Sequence, residues 1–210
     1  MQRLYFVRHG QTEWNAIARM QGQWNSNLSA LGRQQANTNA QLLARLDIQS
    51  IYASPLDRTR QTTEIIQQHV PVEAAYDPRI MEWDCGHWSG HLYEDVKVQW
   101  AEEWAALEAD RFYYRGPGCE NYPDMIERAQ PFVEAVLADP ADNIAIVSHG
   151  MIGRVMIGIV MAFDEAEMLG VTQPNDVIYR VQASRTDPRQ RALDHYAAGA
   201  GPTDGVVESW

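Results

Sequence analysis

The first apolar run of the chain constrains its fold most, because it predicts a buried strand that ends directly at a histidine. Residues 4–7 are four apolar residues in succession, two aromatic and one β-branched, which is typical of a strand covered on both faces. Arg8, His9 and Gly10 follow at once. Open α/β sheets bind their ligands beyond the carboxyl ends of their strands. The pattern therefore predicts that His9 lies at the ligand-binding edge of a sheet.

A second apolar run repeats this arrangement in the other half of the chain. A strand is predicted over Asn143–Ser148, and His149, Gly150 and an apolar helical run follow it. Two strands that deliver a histidine to the same edge of one sheet would place the imidazoles of His9 and His149 side by side. If those rings lay far apart, this interpretation would fail.

Charge and composition narrow the classes of partner. The chain has 210 residues, enough for one α/β domain with a substantial core, and a net charge of −11. Such an acidic balance argues against nucleic acid or an anionic membrane surface, which need clustered positive charge. A small phosphorylated substrate remains compatible, because a few arginines in a cleft can hold one phosphate group. Assembly into a homodimer is compatible with this composition.

The ends and the cysteine content predict the cellular setting. No signal peptide is visible and no apolar stretch is long enough to span a membrane. With only Cys85 and Cys119, a cytoplasmic chain with reduced thiols is expected. We predict one catalytic domain over residues 1–196 and a mobile tail over residues 197–210, which are Gly-rich and lack periodicity.

Motifs spread along the chain resemble the histidine phosphatase superfamily, also called the phosphoglycerate mutase-like family. The resemblance extends from about residue 4 to about residue 181 and implies an α/β fold of three layers, α/β/α, with a mostly parallel central sheet. Its motifs, in chain order, are Arg8-His9-Gly10 with Thr12 to Asn15, Leu28 to Ala36, Ser54 to Thr62, Ile80 to Gly90, and Ser148-His149-Gly150.

The resemblance also implies roles for individual residues. His9 would be the nucleophile, Glu82 the proton donor and His149 a second catalytic histidine. Substrate contacts are implied for Arg8, Asn15, Gln21, Gly22, Arg58 and Gly150.

Elementary chemistry supports this assignment. Neutral imidazole is a good nucleophile, and a covalent intermediate replaces one difficult displacement with two easier ones. The phosphoryl group carries charge on its equatorial oxygens, so cations and neutral donors should surround it. Glu82 lies between Met81 and Trp83, and we expect this apolar setting to favour its neutral acid form. The scheme requires no cofactor and no metal.

We therefore expect a phosphomonoester hydrolase that acts on a small phosphorylated metabolite through a phosphohistidine. One alternative is a cofactor-dependent phosphoglycerate mutase; the resemblance implies a longer chain and an Arg-Arg pair for such mutases, and the chain contains no such pair. A second alternative is a non-catalytic module that binds phosphorylated ligands, but this would require a lost nucleophile or acid.

Two side-chain clusters allow further interpretations. Cys85, His87 and His91 could bind a metal together with Cys119. Several aromatic residues in predicted loops would suit a ring-bearing leaving group, although packing accounts for most of them; these are Trp24, Trp83, Trp88, Tyr113 and Tyr114.

Overall fold

A seven-stranded sheet forms the centre of the computed structural model, which describes residues 1–187, 189–197 and 201–207. Within these residues the strands are β1 (Gln2–Arg8), β2 (Ser50–Ala53), β3 (Ala74–Tyr76), β4 (Asn143–Ser148), β5 (Val177–Ala183), β6 (Arg191–Ala197) and β7 (Thr203–Asp204). Their spatial order is β3-β2-β4-β1-β5-β6-β7. The first four are parallel neighbours, whereas β5, β6 and β7 are added antiparallel. The predicted fold class, with a sheet mostly parallel at its core, is confirmed.

Helices cover both faces of this sheet. In the described part of the chain they are α1 (Glu13–Ala16), α2 (Ala30–Leu43), α3 (Asp57–Gln67), α4 (Tyr93–Gln99), α5 (Ala101–Ala109), α6 (Tyr122–Ala138), α7 (Gly150–Met161) and α8 (Glu165–Gly170). Successive side chains of a strand point to opposite faces. Accordingly, Leu4 and Phe6 of β1 join the core beneath α6 and α7, and Tyr5 and Val7 join the core beneath α2 and α3.

Several helix boundaries differ from the sequence prediction. The helical, acidic pattern of residues 92–109 predicts a single helix, but the backbone turns at Trp100 (φ −124°, ψ 48°) and separates α4 from α5. Proline is common in the first turn of a helix, so Pro55 predicts a helix start at that residue, whereas α3 begins two residues later, at Asp57. Neither β3, with three residues, nor α8, with six, was predicted.

The predicted C-terminal tail contains regular structure. Its boundary after residue 196 falls inside β6, and Thr203–Asp204 pairs with that strand as β7. The backbone N–H of Val207 donates to the hydroxyl of Tyr179 at 2.7 Å. The remainder of the tail, residues 198–200 and 208–210, lies outside the described residues. Mobility of the tail and the single-domain division stay predictions.

None of the helices in the described ranges combines the length and apolarity that crossing a bilayer requires.

Candidate active site

Strands β1 and β4 bring the two predicted histidines together. The strands pair in parallel with Arg8 opposite Ser148, and the N–H of His9 donates to the carbonyl of Ser148 at 3.0 Å. The imidazole centroids of His9 and His149 lie 5.2 Å apart, with 63° between the ring planes. The expected juxtaposition of the two rings is confirmed.

Hydrogen bonds fix the tautomer of each imidazole. Nδ1 of His9 lies 2.7 Å from the carbonyl oxygen of Gly10, which can only accept, so Nδ1 carries the proton and Nε2 keeps its lone pair. In His149 the arrangement is reversed. Its Nδ1 accepts from Nε of Arg58 at 3.1 Å, so Nε2 carries the proton and lies 2.8 Å from Oγ of Ser54.

Burial and neighbouring cations keep both imidazoles neutral. Burial, Arg58 and Arg8 together lower the pKa of His9 well below its usual value. Burial, Arg58 and His9 lower the pKa of His149 in the same way. Because a neutral imidazole retains a nucleophilic lone pair, His9 suits attack on phosphorus at neutral pH.

Arg58 links the two histidines to the loop that contains Gly22 and Trp24. Arg58 is 1% exposed, and its Nε also lies 3.3 Å from Nε2 of His9. Nη1 donates to the carbonyl of Trp24 at 2.7 Å and Nη2 to that of Gly22 at 2.6 Å. Burial lowers the pKa of Arg58 to about 10, which leaves it charged at neutral pH. Arg58 therefore orders this loop as well as the imidazoles.

Arg8 presents an unpaired donor at the sheet edge. Nη1 donates to the carbonyl of Gln173 at 2.8 Å, whereas the buried Nε has no hydrogen-bond partner within the described residues. A Cβ at position 150 would lie 3.3 Å from Cζ of Arg8, tighter than most such contacts, which accounts for the glycine there. A buried donor without a partner is costly, so Nε of Arg8 is suited to an anionic ligand.

Glu82 lies at the N-terminus of α7. Its carboxyl oxygens accept from the backbone N–H groups of Trp83 at 2.9 Å, Met151 at 3.3 Å and Ile152 at 3.1 Å. Glu82 is half-buried, as its apolar neighbours predict, and α7 supplies donors that sequence proximity does not reveal. Its neutral acid form stays a prediction. Glu82 thus occupies part of the anion-binding end of α7, next to Gly150.

Arg128 and Glu120, which the sequence analysis did not identify, hold the segment around Glu82 in place. Nε and Nη2 of Arg128 donate to the carboxylate of Glu120 at 2.7 and 2.9 Å, and Nη2 also donates to the carbonyl of Glu82 at 3.1 Å. Nε1 of Trp83 donates to the carbonyl of Glu120 at 2.5 Å. Glu120 and Arg128 are both remote from residue 82 in the sequence, so no local pattern predicts these contacts.

The predicted site residues surround one cavity of about 370 Å³. Its walls include Arg8, His9, Asn15, Gln21, Gly22, Arg58, Glu82 and Gly150. His149 is the exception, because it is fully buried behind His9 and is not part of the wall. The cavity is also lined by Arg19 and Arg154, which sequence reasoning did not single out.

The cavity is cationic, although the whole chain is acidic. Four arginines, Arg8, Arg19, Arg58 and Arg154, line it together with the carboxyl group of Glu82. Across the described ranges, none of these arginines forms an ion pair with an acidic side chain. Low-dielectric walls focus such a field, so the cavity favours an anion.

The metal interpretation of the cysteine and histidine cluster is wrong. The structure, where it is described, brings no three His, Cys, Asp or Glu side chains into an arrangement that could hold a metal ion. Instead, the ring of His91 packs edge-on against Trp100 with centroids 5.1 Å apart. Cys119 is buried, and its thiol donates to the carbonyl of Cys85 at 3.0 Å.

Paired histidines and unpaired arginines at the carboxyl edge of a mostly parallel sheet define a class of phosphoryl-handling enzyme. The family model of the histidine phosphatase superfamily (branch 1) matches residues 4–195. The chain therefore belongs to this superfamily and is an enzyme of the phosphatase and phosphoglycerate mutase-like class.

Individual relatives agree with this membership. The chain is 33% identical to phosphoserine phosphatase 1 of Hydrogenobacter thermophilus over 78% of each chain. It is 34% identical to the probable phosphoglycerate mutase GpmB of Serratia proteamaculans, over 77% of this chain and 75% of the relative. A solved structure of mycobacterial glucosyl-3-phosphoglycerate phosphatase covers 95% of this chain and all of its own, with a TM-score of 0.83 and 24% identity. That likeness shows the shared fold.

Proposed function

We propose that the protein hydrolyses phosphomonoesters of small metabolites through a phosphohistidine formed on His9. The observation that carries this proposal is the neutral His9 ring, whose Nδ1 is held by the carbonyl of Gly10, in the wall of a cavity lined by arginines. Relatives named as phosphatases, among them phosphoserine phosphatase 1, support hydrolysis of small phosphorylated compounds.

In the first step Nε2 of His9 attacks phosphorus and the ester P–O bond breaks. The lone pair of Nε2 is available because the Nε–H of Arg58 has a second acceptor, Nδ1 of His149. Arg8 donates to a phosphoryl oxygen through its unpaired Nε. Glu82 enters this step as the neutral acid, which the negative charge of the bound phosphate group favours over a second anion beside it. It gives its proton to the departing alkoxide, so the alcohol leaves neutral.

In the second step a water molecule attacks the phosphohistidine. Glu82, now a carboxylate, takes a proton from that water, and inorganic phosphate leaves while Nε2 of His9 regains its lone pair. Two displacements, each with inversion, give net retention at phosphorus.

The remaining cavity residues supply neutral donors to the phosphoryl oxygens. Oδ1 of Asn15 accepts from the N–H of Thr12 at 3.1 Å, which orients its amide and leaves the NH₂ group for the ligand. We assign the same kind of contact to Gln21, Gly22 and the N–H of Gly150. His149 does not line the cavity; we assign it the role of orienting Arg58, whose Nε donates to its Nδ1 and also lies near Nε2 of His9.

The structural contacts favour catalysis over a binding module. A binding module would lack a nucleophile or an acid, whereas His9 and Glu82 both line the cavity. Phosphoglycerate mutase remains the second candidate because several relatives bear that name. We further propose a cytoplasmic setting, with which two buried free cysteines agree; a homodimer stays a prediction.

Phosphate release from a panel of phosphorylated metabolites tests the proposal. The expected result is free phosphate without 2,3-bisphosphoglycerate, together with an acid-labile phosphate label that peptide mapping locates on His9. Exchange of phosphate between glycerate positions that depends on 2,3-bisphosphoglycerate, without net release, would make the protein a mutase. Binding of the metabolites with neither release nor label would make it a binding module.

A further inference from the structure

The geometry points to a substrate whose alcohol part carries a ring and an anionic substituent, and which occupies a second cavity beside the candidate active site. This inference rests on the proposed hydrolase function. The second cavity measures about 400 Å³, within the usual range of small-molecule sites. The two cavities adjoin, because they share the wall residues Trp83, Tyr93, Met151, Arg154 and Thr172.

The junction lies where the leaving group must emerge. Trp83 directly follows Glu82, and the N–H of Met151 donates to Oε2 of Glu82 at 3.3 Å. Glu82 is the proposed proton donor to the departing oxygen. The alcohol attached to that oxygen therefore leaves the phosphate site past Trp83 and Met151, into the second cavity.

The wall of the second cavity suits an apolar ring. Thioether, aliphatic and indole side chains from separate helices form it, among them Met125 of α6, Trp104 and Leu107 of α5, and Leu169 of α8. Polarisable sulfur and aromatic side chains make favourable contacts with rings. Among the aromatic residues that the sequence suggests for a ring-bearing leaving group, Trp83 and Tyr114 line this cavity. Trp88 is fully buried and Trp24 is 57% exposed.

Arg154 supplies a cation at the junction. Its Nε donates to the carbonyl of Val171 at 2.6 Å and its Nη1 to the hydroxyl of Tyr122 at 2.7 Å. Both partners are neutral, and in the described residues no acidic side chain pairs with Arg154, which leaves Nη2 for an anion.

The other charged groups of this wall do not replace Arg154. Glu120 is held by Arg128 at 2.7 Å, and the exposed Glu108 and Arg111 have opposite charges. A carboxylate or second phosphate on the alcohol would therefore be attracted to Arg154. Guanidinium binds such planar or tetrahedral oxyanions well.

Three synthetic esters separate the parts of this inference. Ethyl phosphate has a small alcohol, benzyl phosphate adds a ring, and 4-carboxybenzyl phosphate adds a carboxylate to that ring. We expect kcat/KM to rise about tenfold or more from ethyl to benzyl, and again from benzyl to 4-carboxybenzyl. Release of phosphate from none of the three would refute the proposed function itself. Release with equal kcat/KM for ethyl and benzyl phosphate would refute only the second-cavity assignment.

Gly170→Phe tests the second cavity with little disturbance of the fold. Gly170 is the last residue of α8 and lines the cavity, and a Cβ there meets no atom within 4 Å. Filling the cavity should reduce the benzyl-to-ethyl ratio of kcat/KM about tenfold. Val98→Phe, at a position 80% exposed on α4, is the matched control and should leave that ratio unchanged. An unchanged ratio in Gly170→Phe would overturn the assignment.

Arg154→Gln tests the anion contact. It should abolish the preference for 4-carboxybenzyl over benzyl phosphate, a change of about tenfold or more, and Arg154→Lys should restore part of it. Tyr122→Phe removes a neutral partner of Arg154 but keeps the charge, so the preference should persist. If Arg154→Gln lowered kcat/KM equally for benzyl and 4-carboxybenzyl phosphate, the anion contact would be overturned. Thermal unfolding verifies that each variant is folded.

Discussion

His9 and His149 follow the same strand-His-Gly pattern, yet they occupy different positions relative to the cavity. His9 lines the cavity, whereas His149 is 0% exposed and is not part of the cavity wall. The tautomers also differ, since Nδ1 of His9 is tied to the carbonyl of Gly10 and Nε2 of His149 is tied to Ser54. A repeated motif in an α/β sheet thus places two groups at one edge, and the hydrogen-bond partner of each ring decides what that group can do.

The largest expected effect comes from replacing His9, the histidine that lines the cavity. His9→Asn removes the proposed nucleophile and should lower kcat by about 10⁴-fold or more, with loss of the acid-labile label. His69→Asn alters an exposed histidine that pairs with Asn37, and should change neither measurement. Steady-state phosphate release and labelling check both variants. A labelled His9→Asn protein would show that another residue accepts the phosphoryl group.

The same substitution at His149, which does not line the cavity, should be less severe. His149→Asn keeps a neutral polar side chain but removes the acceptor that shares the Nε–H of Arg58. We expect kcat to fall by about 10²- to 10³-fold while His9 is still labelled, because electrostatic support is lost and the nucleophile is kept. Single-turnover labelling compares the two variants. If His149→Asn lost labelling as completely as His9→Asn, the two rings would not have separate roles.

Sequence reasoning identified the pair but not the partners that distinguish its members. Parallel strands with apolar cores necessarily end at one edge, so the proximity of His9 and His149 followed from local patterns. The contact from Ser54 to His149 joins residues 95 positions apart, and Arg128 reaches the carbonyl of Glu82 across 46. Such contacts depend on loop paths and helix positions that no local pattern encodes.

Local patterns were also misleading where tertiary packing decides exposure. The helical spacing of Leu31, Leu42 and Leu43 predicts one apolar stripe on α2, but Leu31 is 48% exposed. The apolar neighbours of Glu82 do not reveal that its oxygens accept two backbone N–H groups of α7. In both cases the environment is set by elements distant in the sequence.

The pH dependence of stability offers a property that the two histidines should share. Both pKa values are lowered in the folded protein, whereas in the unfolded chain each ring protonates near the ordinary value of about 6.5. As pH falls below that value the unfolded chain binds more protons, so the folded state loses stability. Each histidine contributes up to about 1.4 kcal/mol per pH unit, continuing until pH reaches its folded pKa.

Denaturant unfolding between pH 7 and pH 5 measures this slope. His9→Asn and His149→Asn should each reduce it, and His69→Asn, at an exposed position, is the control. A slope that neither buried substitution alters would contradict neutral burial of both rings.

The smallest expected effect sharpens the contrast between the tautomers. Ser54 is fully buried, and its Oγ lies 2.8 Å from Nε2 of His149. Ser54→Ala removes this acceptor, so His149 no longer prefers the tautomer whose Nδ1 accepts from Arg58. The value of kcat should fall about tenfold with little change in KM.

Ser89→Ala is the matched control, since Ser89 is buried but its hydroxyl has no hydrogen-bond partner in the part of the chain that is described. Nitrogen-15 shifts of the two rings should show altered protonation of His149 alone, because His9 is held by the carbonyl of Gly10, which the substitution does not touch. Loss of activity with unchanged ring shifts would mean that Ser54 acts through packing rather than through the tautomer of His149.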